Sequence, residues 1–510
     1  MVSRYYRAVS TQLDPVDLVR SISFGSRVAE DEAKELRDYF VQTETWRQVR
    51  EGEVDVVLAP KGSGKSAIYS MLLGEQDALF DEKVLLAPGE NLSGTPAFAA
   101  LTAEASLPES QLIGIWKLYF LVLISEEIEQ YDLKSESSKK LFEHLRDAGI
   151  LPEHRPKATL LTMVREYVAR LLNPKSAETS MSIDGVTGAV TGFSGKIEFS
   201  EPSFAATKDG HVSVDALYAL AEKALQDAGY SLWIVLDRLD AAFAAFPELE
   251  RNALRALFRA YGDLASYERV KLKIFLRSDI WENVTDEGFR EASHIVRETA
   301  IVWDSDSLRQ LVVRRLTRSD ALLAHFGRTA ESVLASTESQ NAFFYEVFAQ
   351  QVDAGSGKTE TWKWALSRTE DGTGTSAPRE LIHLFSEVRN AQLARHETAQ
   401  TAPEPPALFH PKTFDVALPV VSKARLAKTI YAEFSDVKPF VEKLARQKTE
   451  HNLASLGLLW GTDASQTADM VRRLVSIGFL SERGKTQNYW VPFMYRPALE
   501  MIQGKADGVA

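Results

Sequence analysis

Residues 53–70 read EVDVVLAPKGSGKSAIYS, and their order decides how the rest of the chain is read. Val54, Val56, Val57 and Leu58 make an apolar run of strand character. Gly62 and Gly64 follow in a short loop, and Lys65 and Ser66 open a stretch whose apolar residues, Ala67, Ile68, Met71, Leu72 and Leu73, continue a helical face. Strand, glycine-rich loop and helix in that order line up backbone N–H groups at a helix N-terminus, where partial positive charge collects. Such a concavity suits a phosphate. In the pattern G-x-x-x-x-G-K-[ST] the glycines let the backbone approach the phosphates, the lysine reaches the β- and γ-phosphates, and the hydroxyl ligates Mg²⁺. The expected binding residues are therefore Pro60, Lys61, Gly62, Ser63, Gly64, Lys65, Ser66 and Ala67. One position departs from the pattern: Ala59 stands where the first glycine is expected, which requires a negative φ there.

A second stretch supports the first. Ser231 to Ala241, SLWIVLDRLDA, holds five apolar residues ending in Asp237, the form of a buried parallel strand with an acid at its carboxyl end. Ligands of open α/β sheets sit at that end of the strands, so Asp237 is the expected partner of Ser66 in holding Mg²⁺. Arg238 occupies the place where many ATPases carry a water-polarising carboxylate, and arginine stays protonated and cannot act as a base. Asp240 is the nearest alternative carboxylate, either catalytic or bracing the loop. A further strand, Leu272 to Leu276, ends in Arg277, Ser278 and Asp279; Arg277 is expected to sense the γ-phosphate or to pair with Asp237, or else to form a structural Arg–Asp pair. Arg379, opening the helix after the loop DGTGTSAPR, is a second sensor candidate. The look-alike GSGKT at residues 355–359 follows residues of helical spacing and so lacks the strand that the motif needs.

Composition sets the bounds. The chain has 510 residues, 45% apolar and 25% charged, as in ordinary globular proteins. It has no cysteine, which excludes disulfides and thiolate chemistry and suits a reducing, cytoplasmic setting. The first residues carry no apolar segment of secretory type. The run LIGIWKLYFLVLI, Leu112 to Ile124, is shorter than the roughly 20 residues that span a bilayer and is expected to be a buried helix, with no membrane partner. The net charge of −12 argues against a general coat for a polyanion, but Val421 to Ala510 holds 13 Lys and Arg against 9 Asp and Glu.

The organisation read from the chain is a helical segment at 1–50 packing on the ATPase sheet and a P-loop domain at 51–300. A helical and hairpin insertion occupies 98–212 of that domain, and KVLLA at 83–87 is a strand candidate beside the loop strand. A helical lid follows at 301–395, then a Pro- and Ala-rich linker at 396–412 and a compact module at 413–510. Two helix candidates and two short strands around Gly484 give that module the plan of a winged helix. Arg472, Arg473, Arg483 and Lys485 offer contacts to DNA or to a protein. The expected fold is an α/β P-loop NTPase αβα sandwich with a helical lid and a C-terminal winged-helix domain.

Taken together, the stretches FGSRVAEDEAKELRDYFVQT, APKGSGKSAIYSML, WIVLDRLDAAF, KIFLRSDIW and APRELIHLF, with the terminal module, resemble bacterial P-loop ATPases related to the AAA+/STAND superfamily. The resemblance implies ATP and Mg²⁺ binding, self-association into a homo-oligomer, and roles for Lys65, Ser66 and Asp237 in catalysis and metal binding. Some relatives in that superfamily act in bacterial defence against phages or mobile DNA. The first reading is an ATP-driven switch in which Lys65, Asp237, Asp240, Arg277 and Arg379 carry the chemistry. The alternatives are a non-hydrolysing nucleotide-dependent scaffold, a DNA-binding regulator gated by ATP and, more weakly, a small-molecule kinase. GTP is disfavoured, as no N/T-K-x-D motif follows a strand.

Overall fold

The computed structural model describes residues 14–26, 35–89, 109–147, 151, 181–183, 190–193, 197–198, 212–239, 247–286, 288–398, 400–483 and 488–506. The chain divides into two units. One takes in the described parts of 44–60 and 65–301, the other those of 1–43, 61–64 and 302–510.

In the first unit β1 (Val56–Ala59) and β2 (Val84–Pro88) are followed by four short strands, β3 (Met181–Ile183), β4 (Val190–Phe193), β5 (Ile197–Glu198) and β6 (Val212–Ser213). These four form a small sheet of their own, in the order β3-β4-β5-β6. The main sheet is completed by β7 (Ser231–Leu236), β8 (Val270–Arg277) and β9 (Glu298–Ala300). Its order is β2-β7-β8-β1-β9, with every pair parallel. Strands of such a sheet are covered on both faces and read as continuous apolar runs. Leu232, Ile234, Val235 and Leu236 are accordingly buried throughout. The strand β2 takes the far edge beside β7 and does not neighbour β1, since both β7 and β8 intervene.

The helix Glu109–Gln130 contains the most apolar run and is a core helix, as its length requires. Trp116, Tyr119 and Phe120 are fully buried, and Trp116 Nε1 donates to Ala253 O at 2.8 Å. Lys117 reaches out of this apolar run to Asp215 (3.1 Å) and Asp263 (2.9 Å), keeping its charge paired at the edge of the core. No described helix is long and apolar enough to cross a membrane.

A charged group does enter the sheet. Lys273, in the middle of β8, is 1% exposed; its ammonium donates to Val54 O (2.6 Å) and pairs with Asp55 Oδ1 (2.9 Å). Asp55 Oδ2 accepts from Arg297 Nε (2.8 Å) and from the Tyr261 hydroxyl (3.1 Å), so the buried carboxylate is fully engaged.

The second unit is mostly helical. Leu18, Val19, Ile22 and Phe24 share its core with residues of the helices Ser305–Leu316, Thr337–Val347, Pro378–Glu397 and Lys412–Arg425. The expectation that residues 1–50 pack as one segment on the sheet therefore divides. The helix Glu44–Arg50 belongs to the sheet unit, while residues 14–24 enter this core, where Phe24 lies 5.6 Å from Phe385. The stretch 396–412 also differs from a free linker. Leu408 and Phe409 are buried, Phe409 stacks on Phe348 at 4.8 Å, and the His410 amide donates to Gln392 Oε1 at 2.8 Å. Two apolar anchors among the prolines hold it down.

A separate core begins at the π-helical turn Leu426–Ile430 and runs to Leu499. The preceding helix Lys412–Arg425 instead gives Phe414, Ala417 and Val421 to the other core. The terminal core holds β10 (Lys448–Asn452), the helices Leu453–Trp460 and Ala464–Ser476, β11 (Ser481–Arg483), β12 (Asn488–Trp490) and β13 (Ile502–Lys505). The sheet order is β11-β12-β10-β13, with β11 and β12 antiparallel. The two strands expected around Gly484 are thus joined by two more; Gly484 and Lys485 lie outside the described residues. The GSGKT look-alike follows the helix Thr337–Val347 and is closed by a single antiparallel bridge between Gln351 and Glu360.

Candidate functional site

The loop after β1 is built where the motif requires it. Ala59 is the last residue of β1, buried and in register with Arg277 on β8, so its backbone is extended and glycine is not needed. Gly62 (φ 86°) and Gly64 (φ 95°) do take the left-handed region that favours glycine. The helix Lys65–Gly74 begins directly after them.

Ser66, in the first turn of that helix, donates its hydroxyl to Asp237 Oδ2 at 2.9 Å. Asp237 follows β7 directly, at the carboxyl end of the sheet. The registers of β1 with β8 and of β8 with β7 bring Ala59, Arg277 and Leu236 to this same end. Sequence reasoning missed Tyr69, one turn after Ser66 on the same helix face. Its ring meets Phe275 edge-on at 6.1 Å. Burial raises its phenol above the ordinary range, Asp237 raises it further and Arg238 opposes them, so all three groups share one environment. The i, i+3 spacing from Ser66 is the signal that finds it.

Arg238 itself has φ 56°, a conformation that side-chain-bearing residues seldom adopt. Asp240 lies outside the described residues. Arg277 is held by Asp279 through two parallel hydrogen bonds, Nε to Oδ1 (3.0 Å) and Nη2 to Oδ2 (2.6 Å), the strong geometry for a guanidinium and a carboxylate. Of the expectations for Arg277, a structural Arg–Asp pair is thus present, and its acid is Asp279, two positions along the chain, where the sequence offers Asp237.

The tip of the loop, residues 61–64, groups with the helical unit. Trp303 Nε1 donates to Ser63 O at 2.8 Å, and Lys61 forms an ion pair with Glu433. A Cβ placed on Gly62 would stand 3.2 Å from Arg379 Cβ and 3.4 Å from Glu380 Oε2. Arg379, in the first turn of its helix, is therefore beside the loop tip. Glu380 is buried and pairs with Arg425 at 2.8 Å. Neither Glu433 nor Trp303 carries a sequence motif that would announce it.

The candidate polyanion contacts are less free than their charges imply. Arg472 pairs with Asp469; Arg473 lies 3.5 Å from Asp436 and over the Phe434 ring; Arg483 lies over Trp490 at 3.7 Å. Lys485 is outside the described residues.

Among the described residues no group of three or more His, Asp and Glu side chains would hold a metal. A hydroxyl and a single carboxylate, as at Ser66 and Asp237, are nevertheless the sparse set that Mg²⁺ takes when phosphates and water supply the remaining oxygens. The donors present fit that ion together with a nucleotide.

A parallel sheet with a glycine loop and helix after one strand and an acid after another places the protein in the α/β class, with the P-loop αβα arrangement. No family model matches the chain, and no curated protein matches it. Among solved structures it is similar to the Walker-type ATPase PABY2304 of Pyrococcus abyssi, 12% identical over 90% of this chain and 96% of that one, with a TM-score of 0.39. It is also similar to the ORC2 protein of Aeropyrum pernix in its ADPNP–ADP complexes (12% identity, 91% and 90% covered, TM-score 0.30). The ORC1 protein of the same organism in complex with DNA is a third (11%, 90% and 92%, 0.33). The fold assignment stands on this chain's own strand order and loop geometry.

Proposed function

We propose that the chain binds ATP with Mg²⁺ at residues 60–67 and hydrolyses it as a conformational switch. The observation that carries the reading is the 2.9 Å hydrogen bond from Ser66 Oγ to Asp237 Oδ2 at the end of the glycine loop. A phosphate loop needs its hydroxyl and the strand-end acid side by side, and an unrelated glycine turn has no reason to join them. The loop amides and Lys65 hold the phosphates, and Ser66 and Asp237 hold the metal. Bound Mg²⁺ supplies charge neutralisation at the phosphates. Arg379, beside Gly62, would report nucleotide state to a lid, and a neighbouring copy or Asp240 would orient water. The terminal module, with two helices leading into the β11–β12 hairpin, is read as a winged helix that takes a DNA or protein partner.

A second reading, a non-hydrolysing scaffold, is favoured by two observations: Arg238 at the usual position of the base, and Arg277 held by Asp279. Binding of a fluorescent ATP analogue and phosphate release, each with and without Mg²⁺, test both. The switch expects binding and turnover that Lys65→Ala abolishes. Tight binding without turnover selects the scaffold, and a Lys65→Ala variant with both intact would overturn either reading.

A further inference from the structure

The terminal module contains a buried arginine whose donors are not all used. Arg496 is 8% exposed. Its Nε donates to Val491 O (2.8 Å) and its Nη1 to Gln503 Oε1 (2.7 Å), while Nη2 has no hydrogen-bond partner. The guanidinium lies over two rings, Phe493 at 3.9 Å and Trp490 at 4.4 Å. Each ring carries a second guanidinium: Arg368 is 4.3 Å from the Phe493 centroid, and Arg483 is 3.7 Å from that of Trp490. Three arginines from the helix Thr361–Thr369, from β11 and from the segment after β12 thus share two aromatic rings.

Among the described residues none of the three forms an ion pair with a carboxylate. The acids that feel them lie further off: Asp353 and Asp415 act on Arg368, and Arg483 acts on Glu370. Burial, and then Arg483 and Arg368, pull the Arg496 guanidinium down to about 10. Ring faces compensate the flat side of a guanidinium. They do nothing for its in-plane N–H donors, which are the ones that grip an oxyanion as a fork. Like charges gathered at a partly buried place, with a donor left over, are stabilised by an anion of matching shape.

We propose that Arg368, Arg483 and Arg496 form a binding site for a phosphate group, either in a nucleic-acid backbone or free in solution. The bases of a nucleic acid would not stack here, because the arginines already cover Trp490 and Phe493. The site reads phosphate and not sequence. It is independent of the phosphate loop and does not rest on the ATP reading.

The test uses the full chain carrying Lys65→Ala, without nucleotide, so that the loop contributes nothing. Fluorescence anisotropy follows a labelled single-stranded DNA oligonucleotide at low salt, with inorganic phosphate and pyrophosphate as competitors. Binding is expected to weaken about tenfold or more in Arg368→Gln/Arg483→Gln, with the slope of log affinity against log salt shallower by about one for each phosphate no longer neutralised. Arg483→Lys keeps the charge and loses the fork, and is expected to fall between parent and Arg483→Gln. Competition by millimolar phosphate identifies a free-phosphate site; capture of the oligonucleotide alone identifies a phosphodiester site. No binding of either probe overturns the proposal, and so does equal binding by parent and double variant. A lowered melting temperature with unchanged affinity overturns it too, since the arginines would then serve folding only.

Discussion

Ser66 Oγ and Asp237 Oδ2 lie 2.9 Å apart although 171 positions separate them in the chain. A whole strand, β8, runs between the strands that deliver them, so the contact is made beyond its end. If the pair holds Mg²⁺, Asp237→Asn leaves nucleotide binding in EDTA unchanged and removes the gain on adding Mg²⁺. Turnover falls by about 100-fold or more, the scale on which charge-stabilising groups act. Titration of an ATP analogue with and without the metal checks this; an unchanged Mg²⁺ effect would remove Asp237 from the site.

The buried Asp55–Lys273 pair predicts unequal costs for its two ends. Asp55→Ala leaves the Lys273 ammonium with Val54 O and the face of the Trp233 ring, without a counter-charge, at a cost of the ~3–5 kcal/mol typical of broken buried pairs. Lys273→Met leaves Asp55 with Arg297 and the Tyr261 hydroxyl and costs less. Urea midpoints of the two variants should fall in that order.

Gly372 is a close-approach position. A Cβ there would stand 2.2 Å from Leu480 O, and its amide donates to Gly478 O at 2.6 Å. Gly372→Ala should therefore part the loop from the terminal module, at about 1–3 kcal/mol, and speed hydrogen exchange around residues 478–480. Gly74→Ala, where a Cβ meets nothing within 4 Å, is the control expected to be neutral or slightly stabilising.

Glu127 supplies a pH test. Burial first, and Glu126 second, raise its carboxyl to about 7. The folded chain thus holds this proton to higher pH than the unfolded chain does, so this group's contribution falls as pH rises from about 4.5 to about 7. Glu127→Gln should stabilise the chain above pH 7 by about 1–2 kcal/mol, allowing for its partial exposure, and should have no such effect below pH 4.5. Denaturant melts at pH 4 and pH 8 read the difference.

The phosphate loop, the Asp237 strand and the buried helix at Leu112–Ile124 were legible because each is set by neighbouring residues. Glycines at left-handed positions, an apolar run of strand length and a run too short for a bilayer are local requirements; Gly355 and Gly357 take positive φ as well, so it is the strand before residues 60–64 that separates that loop from GSGKT at 355. Ala59 illustrates the limit of a motif: the mismatch is harmless because the residue belongs to β1, where register with Arg277 keeps it extended.

What tertiary structure alone decided is which distant groups meet. The placing of β8 between β1 and β7, the anchoring of 396–412 by Leu408 and Phe409, and the meeting of Arg368, Arg483 and Arg496 on two rings each depend on packing among segments far apart in the chain. Spacing along one stretch carries no record of a partner supplied by another. The sequence by itself determined the elements and the chemistry each could bring; the fold chose their neighbours, because burial rewards contact whatever the separation along the chain.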